Sequence, residues 1–299
     1  MSVVRLATRR SPLARRQATY VAQRLATIGV LSELVEVHTH GDLQRDIPLA
    51  VLGGRGAFAL EVQQAVTQGL ADVAVHSAKD LPSVTLEGLV LAGVPERRDA
   101  ADVLVGRSLA GLGPGATVAT GSPRRRALLL ERRPDLRVVE LRGNMARRLA
   151  APGHDGVDAV VAAAAALERL GETARVSERL DPDWFVPQVG QGALALEVRA
   201  DDETTRAMVA QLTDVAAFDA VRAERAFLRE LGTGCAIPAG AHATWRDGVL
   251  TLSAVMVGLD GSASVRATRV GADPEILGGA VARELRDERG GASLPGWSG

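Results

Sequence analysis

The apolar residues fall first into a short run from Val3 to Ala7 and then into a helical spacing that continues to Ile28. Ser11 and Pro12 suit the N-cap and first turn of that helix, and Gly29 suits its end. The chain thus opens as a strand followed by a helix. Alternation over Val35 to Thr39 predicts a second strand, Phe58 to Gln68 a helix after a glycine-rich turn, and Asp72 to His76 a buried strand entering a loop. The first third reads as α/β. From Val94 to Gly115 charges mix with Pro and Gly, which predicts a boundary or crossover. Strands are then expected at Thr117 to Thr120, Arg137 to Leu141 and Asp158 to Ala162, with Ser122 and Pro123 opening another helix. ATRRSP at Ala7 to Pro12 and ATGSP at Ala119 to Pro123 each place a small-polar turn and a Ser-Pro helix start after a strand. Two similar domains follow from that likeness.

The last third changes character after an amphipathic helix carrying Phe218, Val221, Phe227, Leu228 and Leu231. Asp247-Gly248 and Asp260-Gly261 separate alternating apolar runs, so a small antiparallel sheet is expected. A helix over Pro274 to Arg286 covers it, making a separate α+β domain, and the tail from Gly290 is expected to fray.

Composition changes this picture in three ways. At 299 residues the chain exceeds one ordinary core. Hydrophobic residues make up 46% but aromatics only 3%, so the cores must be built from Ala, Val and Leu. No apolar stretch approaches the roughly 20 residues of a membrane span, and the start MSVVRLATRRSP lacks the apolar run of a signal peptide, so a cytoplasmic protein without membrane contact is expected. One cysteine excludes an internal disulfide, and the histidines show no zinc spacing, so no metal is expected. A net charge of −1 gives no overall field for nucleic acid, despite clusters at Arg124 to Arg126, Arg132 with Arg133, and Arg147 with Arg148. Arginine is simply the default cation here, because Lys79 is the only lysine.

Several places could carry chemistry. The helix starts at Ser11 and Ser122, beside Arg9, Arg10, Arg124 and Arg125, are either ordinary caps or anion sites for a carboxylate or phosphate. Gly111-Leu-Gly113-Pro-Gly115 precedes a strand and so is no dinucleotide fingerprint. Gly53, Gly54 and Gly56 precede a helix without a P-loop Lys-Ser/Thr, which suits a hinge or substrate loop. His38 and His40 share one strand face and have no third ligand, the pattern of a solvated face. The segment His76 to Ser83 concentrates polar side chains where a buried strand gives way to a loop, and its lysine stands where guanidinium does not substitute. Cys235, in Gly232-Thr233-Gly234-Cys235, is either an inert buried thiol or an accessible nucleophile.

RLATRRSPLA, THGD, GGRGAF, HSAKDLPS, SPRRRALLLERRPDL, LRGN, VGQGALALE and GTGCAIPAG occur along nearly the whole chain in the order found in porphobilinogen deaminases, and the chain resembles that family. The resemblance implies two α/β domains like those of type II periplasmic binding proteins around a cleft, with a small C-terminal α+β domain. Their limits would be 1–95 with 193–214, then 100–189, then 217–299. It implies a dipyrromethane cofactor joined to Cys235 by a thioether, a primer made from substrate. Each porphobilinogen would lose ammonia to give an electrophilic methylene-pyrrolenine for attack by the terminal ring, and four rounds would precede hydrolytic release of hydroxymethylbilane. Asp80 would be the catalytic carboxylate, stabilising positive charge on the pyrroles. Acetates and propionates would be neutralised in one cleft: the cofactor by Ser77, Lys79, Thr120, Ser122, Arg124, Arg125, Arg142, Gly143 and Arg148, the substrate by Arg9, Ser11, Arg142, Arg148, Arg169 and Gln191. A monomer is implied.

The chain departs from the family pattern at His40, at Arg55, at Gly121-Ser122-Pro123 and at Gly232-Thr233 before the cysteine. The rival reading is a non-catalytic carboxylate-binding protein of the same two-lobed fold, which would need neither an accessible thiol nor a third domain.

Overall fold

The computed structural model describes residues 3–38, 59–232 and 237–297. Thr39, His40, the glycines at 53, 54 and 56, Arg55, Phe58 and Cys235 lie outside the described residues.

The opening elements stand where the pattern puts them: β1 (Val4–Arg9), α1 (Pro12–Thr27), β2 (Ser32–Val37), α2 (Leu60–Thr67) and β3 (Val73–Ser77). The Ser11 side chain accepts from the Ala14 N–H, and Pro12 occupies the first turn. Such a cap is worth about 1 kcal/mol. β3 runs into a single 3₁₀ turn, Ala78–Asp80, before β4 (Leu89–Gly93). The stretch read as a boundary contains a strand, β5 (Asp102–Gly106). Five residues flanked by charges, Pro and Gly are too few to show a period, which is why DVLVG passed as connection. Next come β6 (Thr117–Ala119), α3 (Pro123–Arg132), β7 (Arg137–Val139), α4 (Met145–Ala150), β8 (Ala159–Ala163), α5 (Ala164–Leu170) and β9 (Val176–Arg179). β10 (Leu194–Arg199), α6 (Glu203–Ala210) and α7 (Val215–Glu230) follow.

Two five-stranded sheets result, ordered β2-β1-β3-β10-β4 and β7-β6-β8-β5-β9. In each, the first three strands are parallel and the fourth is antiparallel to both neighbours. The sheets therefore match strand for strand, and β1–α1 corresponds to β6–α3. The antiparallel strand of each sheet is delivered by a crossing: β5 is reached from the first sheet, and β10 returns to it from the second. The crossings touch, the Arg98 N–H donating to the Gly192 carbonyl at 3.2 Å. This is the two-lobed α/β arrangement of type II periplasmic binding proteins.

The third unit is the antiparallel sheet β11 (Ala239–Arg246), β12 (Val249–Val257) and β13 (Ser264–Gly271), covered by α7 and α8 (Pro274–Arg283). Asp247 and Gly248 both have positive φ, 51° and 77°, the two-residue turn their pairing predicts. The second connection is longer than a two-residue turn: Val257 pairs with Ser264, and the Asp260 carboxylate accepts from the Ser262 N–H at 3.0 Å. The tail does not fray as expected. Leu294 and Trp297 pack on the third core, and the Trp297 indole donates to the Val257 carbonyl at 2.7 Å. An indole is too large an apolar surface to leave in water when a core edge lies within reach.

Packing ties the third unit to both lobes. Ala217 and Val221 of α7 share a core with Ala78 and Leu81 of the first lobe. Val255 and Val257 of β12 pack with Leu128, Leu129 and Phe185 of the second.

Candidate active site

Asp80 sits on the 3₁₀ turn at the C-terminal end of β3, and the turn is held on several sides. Ser77 Oγ accepts from Gln17 Nε2 of α1 at 2.7 Å, and the Ala78 N–H donates to the Ala193 carbonyl at 3.0 Å. Gln188 Nε2 donates to the Lys79 carbonyl at 3.2 Å. Gly190 closes the remaining side, because a Cβ there would lie 2.8 Å from the carbonyl carbon of Ala78. Its φ of +71° also belongs to glycine, so this glycine of the VGQG run is demanded twice.

From this turn Lys79 Nζ donates to Gln191 Oε1 at 3.3 Å. Gln191 is fully buried and donates onward, to the Ala100 carbonyl at 2.7 Å and to Asp102 Oδ1 at 2.9 Å. Asp102, the first residue of β5, is also fully buried and collects arginines from α3. Arg124 Nη2 reaches it at 2.6 Å, and Arg125 donates through Nε at 3.0 Å and Nη2 at 2.7 Å. Burial would raise the Asp102 pKa, but the two guanidiniums overcome it and hold the carboxyl at about 2. Arg124 is turned inward: Nη1 donates to the Val186 carbonyl at 2.6 Å, and its guanidinium lies 5.5 Å from the Phe185 ring centre. Arg125 also reaches Gln191 Oε1, at 3.4 Å. Residues from both lobes and both crossings thus form one hydrogen-bonded hub.

The charge balance beside this hub is uneven. Burial, reinforced by the field of Arg125, pushes the Lys79 ammonium down to about 8, while Asp80 and Asp102 act in the opposite direction. Arg148 is lowered by burial and then by Arg125, and the field of Asp80 opposes both. Arg148 Nε is buried without a hydrogen-bond partner. Arg142, whose Nε donates to Glu140 Oε1 at 2.6 Å, adds to the field on Arg148. Thr120 and Ser122 line the matching corner of the second lobe. The Ser122 N–H donates to Thr120 Oγ1 at 3.2 Å, and Ser122 caps α3 through the Arg125 N–H. Gly143, with φ of +107°, turns the chain from β7 to the Asn144 cap of α4. Crowded buried cations with an orphaned guanidinium N–H are the surroundings that an anionic, multiply charged ligand completes.

The sequence-predicted residues do not all meet. Lys79, Asp80, Arg124, Arg125, Arg142, Arg148 and Gln191 come together, with Ser77, Thr120, Ser122 and Gly143 on the turns that carry them. Arg9 and Ser11 stand at the β1–α1 corner of the first lobe. Arg169 donates to the Gly192 carbonyl at 2.7 Å, on the crossing one residue past Gln191; burial lowers it to about 10, with Glu168 acting in the opposite direction. Cys235 is outside the described residues, but Ile237, two positions on, lines a small cavity shared with Lys79, Gln188 and Arg225. Among the described residues no His, Cys, Asp or Glu cluster could hold a metal, and no helix is long and apolar enough to cross a membrane. Sequence reasoning missed Gln17, Gln188 and above all Asp102. An acid opening an otherwise apolar run was the available signal, since a buried carboxylate requires partners.

Comparisons with known proteins point to one family. Residues 4–207 match the dipyrromethane cofactor binding domain of porphobilinogen deaminase, and residues 218–287 match its C-terminal domain. A porphobilinogen deaminase from Syntrophotalea carbinolica is 44% identical over 291 residues, covering 95% of this chain and 92% of that protein. One from Roseiflexus sp. is 43% identical over 298 residues, covering 97% and 98%. Among solved structures, an ABC transporter periplasmic substrate-binding protein from Coxiella burnetii aligns at a TM-score of 0.45 with 16% identity, covering 75% of this chain and 97% of that chain. Since the family models take in both lobes and the third unit, and the relatives match from end to end, the chain belongs to the porphobilinogen deaminase family.

Proposed function

We propose that the chain joins four porphobilinogen molecules onto a dipyrromethane anchored at Cys235 and releases hydroxymethylbilane, with Asp80 as its catalytic carboxylate. The observation that carries this reading is the group Lys79, Arg125 and Arg148 beside Asp80, partly to fully buried, cationic in excess and with Arg148 Nε unpartnered. When bound, the dipyrromethane supplies a primer with a free pyrrole α-carbon as nucleophile. Its acidic side chains fit the surplus cations, and the chain re-emerges after Cys235 at Ile237, beside Lys79.

Lys79, Arg125, Arg142 and Arg148 neutralise carboxylates of the cofactor, with Ser77, Thr120, Ser122 and the Gly143 turn shaping the pocket. Arg124 and Arg125 both hold Asp102, and the Val161 carbonyl also fixes Arg125. Arg9, Ser11, Arg169 and Gln191 serve the incoming substrate. Asp80 accepts from pyrrole N–H groups and offers a fixed negative charge where positive charge develops, first as ammonia leaves and again as the new C–C bond forms. A preorganised anion of this kind acts without solvent reorganisation. The three units take the limits 1–95 with 193–214, 100–189 and 217–299, and the enzyme works as a cytoplasmic monomer with porphobilinogen as its small-molecule partner.

Intact mass tests the reading. Wild-type protein should carry a two-pyrrole adduct on the peptide containing Cys235 and give the colour reaction of a dipyrromethane with acidic dimethylaminobenzaldehyde. Cys235→Ser should show neither and make no hydroxymethylbilane, because a serine hydroxyl is a far poorer nucleophile than a thiolate. A Cys235→Ser protein with activity would sink the mechanism, and folded wild type without adduct would favour the carboxylate-binding rival.

A further inference from the structure

Behind the Asp80 turn lies a second polar group that the chemistry above does not use. Glu197 of β10 is fully buried and accepts from Gln63 Nε2 of α2 at 2.8 Å. His76 Nε2, from the strand that delivers the Asp80 turn, lies 3.3 Å from the same carboxylate in a contact rather than an aligned hydrogen bond. Burial would raise the Glu197 carboxyl, yet His76, Gln63 and the field of Arg225 hold it below its ordinary range. Arg225 comes from α7 in the third unit and is itself buried. Its Nη2 reaches the Ser83 carbonyl at 3.4 Å and Thr85 Oγ1 at 3.3 Å, on the stretch leaving the Asp80 turn.

The Asp80 turn is therefore gripped on both flanks, by His76 on Glu197 before it and by Arg225 on Ser83 and Thr85 after it, and the two grips are joined by the Glu197 and Arg225 charges. Arg225 also stands ten residues before Cys235 on the helix that leads to it, and it lines the cavity shared by Lys79 and Ile237. We infer that Arg225, together with Glu197, is a positioning residue that fixes the Asp80 turn against the unit bearing the cysteine, so that the catalytic carboxylate and the anchored primer keep one register. The cost of burying charge favours this over a general packing role. A helix needing only apolar burial at this position would not bring a guanidinium into a neighbouring lobe and leave it near a buried carboxylate, given the cost of desolvating both charges.

The inference rests on Asp80 being the catalytic carboxylate, and the test separates the two. Arg225→Met and Glu197→Gln holoproteins should lower kcat by about 10- to 100-fold while KM stays within about threefold, since misplacement of a reacting group by about 1 Å costs this much. Arg225→Lys should recover part of the loss, by keeping the charge that faces Glu197. The double variant should be no slower than the worse single variant, because both act on one turn. Amide hydrogen exchange over residues 76–85 should quicken in both single variants, a readout independent of turnover. If Arg225→Met does not fold, Arg225→Lys alone should still raise exchange over 83–85. Unchanged kcat and unchanged exchange in variants of Arg225, in a protein that Asp80→Asn inactivates, would overturn the inference and leave the reading of Asp80 standing. A protein that Asp80→Asn leaves active would overturn the reading, whatever exchange shows.

Discussion

Replacing Asp102 by Asn should unsettle stability and site together, because this buried carboxylate is what allows two buried arginines to stay side by side. Asn keeps the shape and one acceptor but removes the charge. Breaking one partner out of a buried ion pair costs about 3 to 5 kcal/mol, and the retained acceptor places Asp102→Asn at the lower end. Spread over 299 residues, a loss of about 3 kcal/mol lowers Tm by roughly 5 °C. The pH dependence gives a second, independent measure. Asp102 titrates at about 2 in the folded protein against an ordinary 3.8. The folded state thus prefers the ionised form, contributing about 2 kcal/mol that is fully present above about pH 4 and lost as pH falls through about 2. Asn has no such contribution to lose. Urea midpoints of wild type and Asp102→Asn should therefore differ most near pH 7 and converge between about pH 4 and 2. Turnover should fall too, since Arg125 and Gln191 both lean on the lost oxygen. Equal midpoints at pH 7, or a gap that does not narrow in acid, would refute the account of the hub.

Other consequences follow from the same site. Asp80→Asn should leave the fold and its melting temperature near wild type while lowering kcat by about 100-fold or more, in line with removal of one preorganised electrostatic group; near-normal turnover would remove Asp80 from its role. Arg148→Leu should impair cofactor assembly or elongation, visible as missing adduct or accumulated enzyme intermediates by mass, because a charge-assisted bond worth roughly 1.5 to 3 kcal/mol is lost; unchanged intermediates would count against it. Lys79, as the only lysine, can be followed by reductive methylation with a carbon-13 label. Its pKa should be near 8 in cofactor-free protein and higher in holoprotein, where carboxylates favour the ammonium; the same value in both would place the cofactor elsewhere.

Most of the architecture was legible because its signals are local. Ser11-Pro12 and Ser122-Pro123 mark their helices through cap geometry set within four residues, and Asp247-Gly248 marks its hairpin through two positive φ angles. The likeness of ATRRSP and ATGSP reached further, since those segments occupy matching corners of two sheets of the same strand order. β5 was hidden for the opposite reason. Its partners, β8 and β9, lie far along the chain, and nothing in five residues reports a pairing made at that distance. Among the site residues, the HSAKD run drew attention to Lys79 and its neighbours, while the role of Asp80 and the place of Gln191 came only from the family resemblance. Arg124 and Arg125 look alike as neighbours in an Arg-Arg-Arg run. Only the structure separates Arg124, whose terminal nitrogens go to Asp102 and the Val186 carbonyl, from Arg125, which also reaches the Gln191 oxygen shared with Lys79.

The position of the hub explains why the fold suits a site that must hold many charges. Wherever a chain crosses between lobes it leaves backbone groups unpaired by either sheet, and these need partners if they are buried. Here the crossings carry Asp102 on one side and Gln188 to Gly192 on the other, so backbone groups such as the Ala100 carbonyl and the cations of the hub share the same side-chain partners. Glu224 repeats the device for the third unit. It is fully buried, accepts from Arg97 at 2.6 and 3.1 Å, and also takes the Gly190 N–H at 2.7 Å and the Ala243 N–H at 2.8 Å. One carboxylate thus joins both crossings' neighbourhoods to β11. A buried acceptor with four donors yields little without leaving charges unpaired, so the crossings resist displacement at Glu224. Through Gln188 and Gln191 the same crossing holds Lys79, and with it the Asp80 turn, in register with Arg125.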